Sequence, residues 1–330
     1  MSFDTRHKSK VILDGVDRAG ARSMMKAIGF SDRDLSRPQV GVAHCWIGTM
    51  PCNFNHREVA AQVMDGVRAA GGTPIEVNTV SVTDGITMGT EGMKGSLVSR
   101  DLVADSVELV ARSHMFDALV TISGCDKTIP AMVMAMARLD IPSVMLYGGS
   151  INYGEYKGRR LTIQDTFEAI GAYNAGKISK AEFKGIENHA CPGAGACGGQ
   201  FTANTMATAF EMLGVSPMGF NDVPAEHRGK KKVAVETGKL VMTLLKKGIT
   251  PSRIITRKAM DIDKLGYTEA LGIPSLRSRI AKHYLDMYGI ALAEDRVVVT
   301  TGSSGGFMLA FLSAFDTGDR VALADPGYPA

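Results

Sequence analysis

The chain has 330 residues, enough for one large or two ordinary domains with cores of their own. It is 45% hydrophobic and 22% charged, and its 37 basic and 34 acidic side chains leave a formal charge of +3, which does not indicate a nucleic-acid partner. No apolar stretch approaches the roughly 18 residues that a membrane helix requires, so we expect no membrane partner.

The N-terminus and the cysteines indicate the compartment. The first residues, MSFDTRHK, hold no apolar signal-peptide core, so we expect a cytoplasmic protein. Five cysteines are an odd number, which argues against a disulfide scaffold and for reduced thiols with a chemical role. They are Cys45, Cys52, Cys125, Cys191 and Cys197. The one basic run, Lys230 to Lys232, lies in a helical pattern and is predicted to form a solvated face.

Strand-like and helix-like segments alternate along the first half of the chain. Residues 15–30 predict a short helix, and residues 38–44, 75–82, 117–123 and 142–147 predict strands. Apolar residues at helical spacing predict helices over residues 59–67, over residues 102–110, and from Pro130, which suits a first turn. This alternation predicts an α/β fold with a mostly parallel sheet and helices on both faces.

Thiol, carboxylate and amine groups follow three of these strands. Cys52 follows the first strand, Asp84 the second, and the run Cys125-Asp126-Lys127 the third. Because the carboxyl ends of parallel strands meet at one edge, we expect these side chains to lie together there. Thiolate suits iron or zinc and carboxylate suits Mg²⁺, so the pattern indicates a soft and a hard metal centre side by side. The alternative is a buried structural Cys beside an Asp that caps a helix.

A glycine-rich loop over residues 191–199 carries Cys197 and opens a helix predicted over residues 202–213. Its glycines let backbone approach a ligand closely, and the N-terminus of the helix favours an anion such as a sulfur cluster or a carboxylate. Residues 148–188 show no chemistry. The alternating Met132, Met134 and Met136 do not share one helix face, so we expect them to fill the core.

From about Gly20 to Met260 the chain resembles the dihydroxy-acid dehydratase family, which also contains sugar-acid dehydratases. The resemblance lies in residues 51–53, 82–86, 123–127 and 190–199. It implies that Cys52, Cys125 and Cys197 hold an iron–sulfur cluster. It also implies that Asp84, Asp126 and a carbamylated Lys127 hold Mg²⁺.

The resemblance indicates a [2Fe-2S] cluster, with [4Fe-4S] as the alternative. Cys45 and Cys191 match no ligand position and are expected to be structural. Lys127 must lose its proton before it becomes a carbamate, and we expect neighbouring cations to promote that loss by lowering its pKa.

The family implies a hydro-lyase that converts a small-molecule 2,3-dihydroxy-3-methyl acid into a 2-oxo acid in valine and isoleucine biosynthesis, acting as a homodimer. Three alternatives stay open. The substrate is a sugar acid such as gluconate, or the chain is a non-catalytic iron–sulfur-binding remnant. In the third, zinc is bound by His44, Cys45, Cys52 and His56, whose spacing fits no standard module.

Beyond Met260 the resemblance changes. Residues 265–274 resemble the early part of a class I aminotransferase of the pyridoxal phosphate type. A helix is predicted from Leu276 to Met287, a strand over residues 296–300, and a phosphate-binding type of loop over residues 302–306. We therefore expect two domains, residues 1–260 and residues 261–330.

This arrangement bears on activity. In the dehydratase family the general base, a serine, and a further acidic Mg²⁺ ligand belong to a C-terminal domain that should follow residue 260. The aminotransferase-like segment takes that place here, so no catalytic base is assigned and impaired turnover is expected. The aminotransferase lysine and arginine lie beyond Ala330, so pyridoxal phosphate is not expected as a cofactor.

Overall fold

The computed structural model describes residues 3–256, Gly272 and residues 274–299. The chain divides into two compact units, Met1–Thr256 and Arg257–Ala330. The domain boundary predicted at residue 260 lies outside the described residues and remains a prediction.

The first unit is built around four parallel strands. They are β1 (Gln39–His44), β2 (Thr73–Asn78), β3 (Ala118–Ser123) and β4 (Ser143–Tyr147). Their order across the sheet is β2-β1-β3-β4, with Val42 opposite both Glu76 and Val120. The predicted α/β fold with a parallel sheet is therefore confirmed.

Strand β2 ends four residues before the predicted limit of residue 82. Its partner β1 ends at His44, whose carbonyl accepts a last hydrogen bond from the Thr79 amide at 2.9 Å. Without a neighbouring strand beyond that point, residues 80–83 leave the sheet and lead to Asp84.

Fourteen α-helices lie within the described residues. They are α1 (Lys10–Leu13), α2 (Ala19–Ala27), α3 (Asp32–Leu35), α4 (Pro51–Phe54), α5 (His56–Ala69), α6 (Asp84–Thr87), α7 (Lys94–Ser113), α8 (Thr128–Leu139), α9 (Ile163–Asn174), α10 (Lys180–His189), α11 (Thr202–Met212), α12 (Lys230–Lys247), α13 (Pro251–Ile254) and α14 (Pro274–Tyr288). A short antiparallel hairpin of β5 (Gly154–Tyr156) and β6 (Arg159–Leu161) precedes α9.

Helices cover both faces of the sheet, as predicted. Val40 and Val42 of β1 pack with α5 and α12, whereas Ala43 packs with α7 and α8 on the opposite face. This alternation follows from the two-residue period of a strand. Met132 and Met136 of α8 are fully buried, which confirms the core role predicted for them.

Helices α5 and α12 touch at a pair of glycines. A Cβ atom added to Gly66 would lie 2.0 Å from the Val235 carbonyl oxygen, and one added to Gly238 would lie 2.1 Å from the Val63 carbonyl oxygen. Glycine at both positions therefore sets how closely these helices approach.

Asp117, at the start of β3, ties the N-terminal segment to the sheet. Its fully buried carboxylate accepts hydrogen bonds from the backbone amides of Lys8 at 2.8 Å, Ser9 at 3.0 Å and Gln39 at 2.8 Å.

Within the described residues, no helix is long and apolar enough to cross a membrane.

In the second unit, α14 forms where a helix was predicted. The strand predicted over residues 296–300 is wrong for its described part, because Arg296 belongs to a 3₁₀ turn (Glu294–Arg296) and residues 297–299 form no strand. The Arg277 guanidinium donates to the carbonyls of Glu294 and Val297, and only the second of these belongs to the predicted strand. The predicted loop over residues 302–306 lies outside the described residues.

Candidate metal centre

The first feature of the site is the place where the strand order reverses. The chain leaves β1 for β2 on one side and returns to β3 on the other, so the carboxyl ends of β1 and β3 border a topological switch point. Cys52 lies in α4 after β1, and Cys125 lies directly after β3. A Cβ atom on Gly124 would lie only 2.1 Å from the Cys52 carbonyl oxygen, so these two loops are in direct contact.

Backbone hydrogen bonds bring the glycine-rich loop to the same place. The Gly195 amide donates to the Pro51 carbonyl at 2.8 Å, and the Ala196 amide donates to the Gly149 carbonyl at 2.9 Å. Gly195 has a φ of +136°, and a Cβ atom there would lie 2.4 Å from the Ile151 amide nitrogen. The loop that carries Cys197 is thus joined to the loop of Cys52 and to the one after β4.

The three thiols affect one another. A hydrogen bond to Cys125, burial, and then the negative charges of Cys125 and Cys197 raise the pKa of Cys52 well above its ordinary value. Burial and Cys125 raise the pKa of Cys197 to about 11. The thiols of Cys52 and Cys197 are therefore protonated at neutral pH in the metal-free chain, and their thiolates form only with a compensating cation.

The other two cysteines, Cys45 and Cys191, differ from each other in burial. Cys45 is fully buried and burial raises the pKa of its thiol, whereas Cys191 is exposed.

Asp84, Asp126 and Lys127 form a second group. The Lys127 Nζ atom donates to Asp84 Oδ2 at 3.0 Å and to Asp126 Oδ2. All three side chains are largely shielded, with exposures of 11% for Lys127, 26% for Asp84 and 16% for Asp126. The structure therefore brings together all the residues of the predicted Mg²⁺ set.

Carboxylates dominate the charge environment of Lys127. Burial acts to lower the pKa of Lys127, but hydrogen bonds and charges from Asp126 and Asp84 outweigh it and raise the pKa. In the metal-free chain the groups that contact the ammonium are carboxylates, so the expected lowering of this pKa by neighbouring cations stays a prediction for the metal-loaded chain. Carbamylation needs a neutral amine, so it requires a cation that neutralises these two carboxylates.

Thr83 and Asp126 link the two groups. The Cys125 Sγ atom lies 3.3 Å from Asp126 Oδ1 and 3.5 Å from Thr83 Oγ1. Thr83 Oγ1 also accepts from the Gly85 amide at 3.2 Å, which caps α6 and places Asp84 in its first turn. The thiol group and the carboxylate group are thus immediate neighbours.

Three functional candidates were missed by the sequence reasoning: Thr83, Tyr147 and Lys230. Lys230 was predicted to be solvated with its two neighbours, but its side chain is buried and donates to the carbonyls of Tyr147 at 2.6 Å and Val223 at 3.2 Å. Burial lowers the pKa of Lys230 to about 7. The helical spacing from Lys230 to the buried Ala234 and Val241 was the signal for this, since it places the lysine in the buried stripe of α12.

The zinc alternative is not supported. The His44 Nε2 atom lies 2.8 Å from Glu76 and its Nδ1 atom accepts from the Trp46 amide, so both nitrogens are engaged. Among the described residues, no three His, Cys, Asp or Glu side chains group as a site for a single metal ion. This statement includes Cys52, Cys125 and Cys197.

A parallel α/β sheet with thiols and carboxylates at its switch point has the donor chemistry of a metalloenzyme domain. The sequence profile of the dihydroxy-acid/6-phosphogluconate dehydratase N-terminal domain matches residues 37–263. The chain belongs to this family, as its motifs indicated.

Individual relatives agree with this assignment. The chain is 56% identical over 261 residues to the dihydroxy-acid dehydratase of Roseiflexus sp. (strain RS-1), covering 79% of this chain and 47% of the relative. It is 57% identical over 254 residues to that of Koribacter versatilis (77% and 44%) and 48% identical over 252 residues to that of Thermus thermophilus (76% and 45%). The chain thus spans about half the length of the curated relatives it matches. Residues 248–330 match the profile of class I and II aminotransferases, as the sequence suggested for that segment.

Proposed function

We propose that this chain carries the iron–sulfur and Mg²⁺ sites of a dihydroxy-acid dehydratase, a hydro-lyase that converts a 2,3-dihydroxy-3-methyl acid into a 2-oxo acid in valine and isoleucine biosynthesis. The observation that carries the proposal is the meeting of three cysteine loops beside the Asp84, Asp126 and Lys127 group at the switch point. From the family resemblance we further propose that the protein is cytoplasmic and acts as a homodimer.

Cys52, Cys125 and Cys197 would hold the cluster. We propose a [2Fe-2S] cluster, with [4Fe-4S] as the alternative. Support comes from the donor chemistry, since thiolates are the usual ligands of such clusters, and from the influence of Cys125 on the pKa values of Cys52 and Cys197. Three protein ligands leave part of the cluster open to a substrate oxygen. Each cysteine would release its proton when the cluster is inserted.

Mg²⁺ would be held by Asp84, Asp126 and Lys127, with Lys127 as its carbamate. The ammonium first loses one proton; the neutral Nζ then forms a bond to the carbon of CO₂ and loses a second proton, so that an ammonium donor becomes a carbamate with anionic oxygen ligands. In the metal-free chain the Lys127 ammonium instead donates hydrogen bonds directly to the two carboxylates and offsets one of their two charges. With two carboxylates, a carbamate and Mg²⁺ the formal net charge would be the same, so loading leaves the charge of the site unchanged.

When bound, the two groups supply Lewis acidity to the substrate carboxylate end and to the hydroxyl that leaves. The chain itself orients them. The capped start of α6 fixes Asp84, and the turn from β3 into α8 fixes Cys125 and Asp126 within one hydrogen-bonded unit. The thiol group and the carboxylate group thereby face one small substrate.

The test is reconstitution of the full chain with iron and sulfide without oxygen, followed by iron and sulfide analysis, visible absorption and electron paramagnetic resonance. We expect Cys52→Ser, Cys125→Ser and Cys197→Ser to lose iron, and the matched control Cys191→Ser to keep it. Equal loss in the control, or zinc in place of iron, contradicts the proposal. The iron-to-chain ratio separates the two cluster types.

Turnover is measured with Mg²⁺ by detection of the 2-oxo acid. We expect 2,3-dihydroxy-3-methylbutanoate to be preferred over gluconate, and Asp84→Asn to lower Mg²⁺ affinity without loss of iron. A preference for gluconate would assign the chain to the sugar-acid branch. Because impaired turnover is expected, binding is measured as well: a change in the visible spectrum of the loaded chain on addition of either acid supports the dehydratase, and iron binding with neither turnover nor such a change favours the non-catalytic alternative.

A further inference from the structure

We propose that Tyr147 and Asn204 are a positioning pair that fixes the backbone of the Cys197 loop, residues 193–199, so that Cys197 is held ready to ligate the cluster. This inference rests on the proposed cluster site and adds two residues to it. Neither residue contributes a ligand; both act through the backbone that carries one.

Tyr147 is the last residue of β4 and is buried among the three cysteines. Its side chain is 1% exposed, and burial followed by the charges of Cys197, Cys52 and Cys125 raises the pKa of its phenol well above the ordinary value. The phenol hydroxyl donates a hydrogen bond to Asn204 Oδ1.

Asn204 lies in the first turn of α11 and contacts the loop on either side of Gly198. Its Nδ2 atom donates to the carbonyl oxygen of Cys197 at 2.8 Å and to that of Gly199 at 2.5 Å. Carbonyl oxygens only accept, so the amide nitrogen must face the loop and Oδ1 must face Tyr147. The phenol is therefore required to donate, which gives the chain of hydrogen bonds a single direction.

The loop itself has few side chains with which to hold its shape. Four of its seven residues are glycine, and Gly193 and Gly195 have φ values of +82° and +136°. Glycine loses more backbone freedom on ordering than any other residue, so such a loop needs external contacts to keep one conformation. The two bonds from Asn204 supply these contacts at Cys197 and two residues beyond it.

The opposite end of the pair is anchored in the sheet. The Tyr147 amide donates to Asn221 Oδ1 at 3.3 Å, and its carbonyl accepts from the buried Lys230 Nζ at 2.6 Å. The backbone of Tyr147 is thus fixed on both sides, and the phenol transmits that fixed position through Asn204 to the loop.

The experiment uses the full chain loaded with iron and sulfide, and measures the rate of iron release to a chelator together with the electron paramagnetic resonance spectrum of the reduced cluster. We expect Tyr147→Phe, which removes one oxygen, to release iron about tenfold faster, the factor that corresponds to about 1.4 kcal/mol, a typical net value for one buried hydrogen bond. We also expect its spectrum to shift, because the Cys197 sulfur takes a different orientation.

A double-variant cycle tests whether Tyr147 acts through Asn204. We expect Asn204→Ala to accelerate release as well, and the double variant to equal Asn204→Ala alone, since the phenol then has nothing left to position. Matched controls are Met212→Ala, an exposed position two turns along α11, and Tyr173→Phe in α9; both should behave as wild type. Additive effects in the double variant, or an unchanged Tyr147→Phe, overturn the proposal.

A second measurement does not need the cluster. In the cluster-free chain we expect iodoacetamide to modify Cys197 faster in Tyr147→Phe and Asn204→Ala than in wild type, with no change at the exposed Cys191. If the wild-type chain takes up no iron, the proposed function fails, and this measurement still decides whether the pair holds the loop. Unchanged modification of Cys197 rejects the pair even if iron binds.

Discussion

The glycine contact between α5 and α12 allows a quantitative prediction for Gly66→Ala. The new Cβ atom would lie 2.0 Å from the Val235 carbonyl oxygen, roughly 1.4 Å inside the 3.4 Å at which ordinary contact begins. The obstacle is backbone, which cannot rotate away, so the helices must separate. Overpacking of this kind costs up to about 3 kcal/mol, and alanine returns about 1 kcal/mol in helix propensity. We expect a net loss of about 2 kcal/mol.

The assay is urea and thermal unfolding of the metal-free chain, followed by circular dichroism. A loss of about 2 kcal/mol corresponds to a melting temperature lower by about 4–8 °C for a domain of this size. The matched control is Gly171→Ala in α9, where a Cβ atom meets nothing within 4 Å, so we expect a gain of up to about 1 kcal/mol. If Gly66→Ala is as stable as the wild type or more stable, the close approach of these helices is refuted.

Three further results are expected. Burial, with the charges of His44 and Lys230, lowers the pKa of His56 to about 3. Between pH 6.5 and 3 this histidine is therefore protonated in the unfolded chain but neutral in the folded chain. Stability must then fall as pH drops from 6.5 toward 3, and His56→Gln should reduce that slope by up to about 1.4 kcal/mol per pH unit in urea titrations. Asp117→Ala leaves three amide donors without their acceptor and should lower the free energy of unfolding by about 3 kcal/mol or more, with faster proteolysis before β1; an unchanged cleavage rate would contradict this. In the metal-free chain the Cys125 thiol donates to Thr83 Oγ1 at 3.5 Å, whereas a thiolate ligand in the loaded chain only accepts, so the Thr83 hydroxyl would become the donor. Thr83→Val should therefore lower the reduction potential of the cluster, while Thr83→Ser should keep the wild-type value.

Local patterns sufficed for most of the architecture. The alternation of Val40 and Val42 with Ala43 reports the two covered faces of β1, and the order of strands and helices reports a parallel sheet. The limit of β2 was missed because it depends on where a partner strand ends, and the sequence of β2 holds no information about that.

The supporting residues of the site were harder to predict because their contacts join distant positions. Tyr147 and Asn204 are 57 residues apart, and neither has a neighbour in sequence that suggests the contact. Lys230 was judged by the two lysines that follow it rather than by the buried face that it shares with Ala234. The contacts of Lys127 with Asp84 could not be predicted from local sequence either, since 43 residues separate them.

The meeting of separate loops at the switch point bears on how such a protein matures. Under the proposed ligand set, no two of the cysteines that would hold the cluster lie close together in the chain, so a nascent polypeptide offers iron no local motif of thiols. The sheet must form first, and the glycine-rich segment must then dock against the turn at Pro51. Insertion of the cofactor is therefore a late event that acts on an already folded scaffold, and that scaffold must persist without metal until iron and sulfide are delivered.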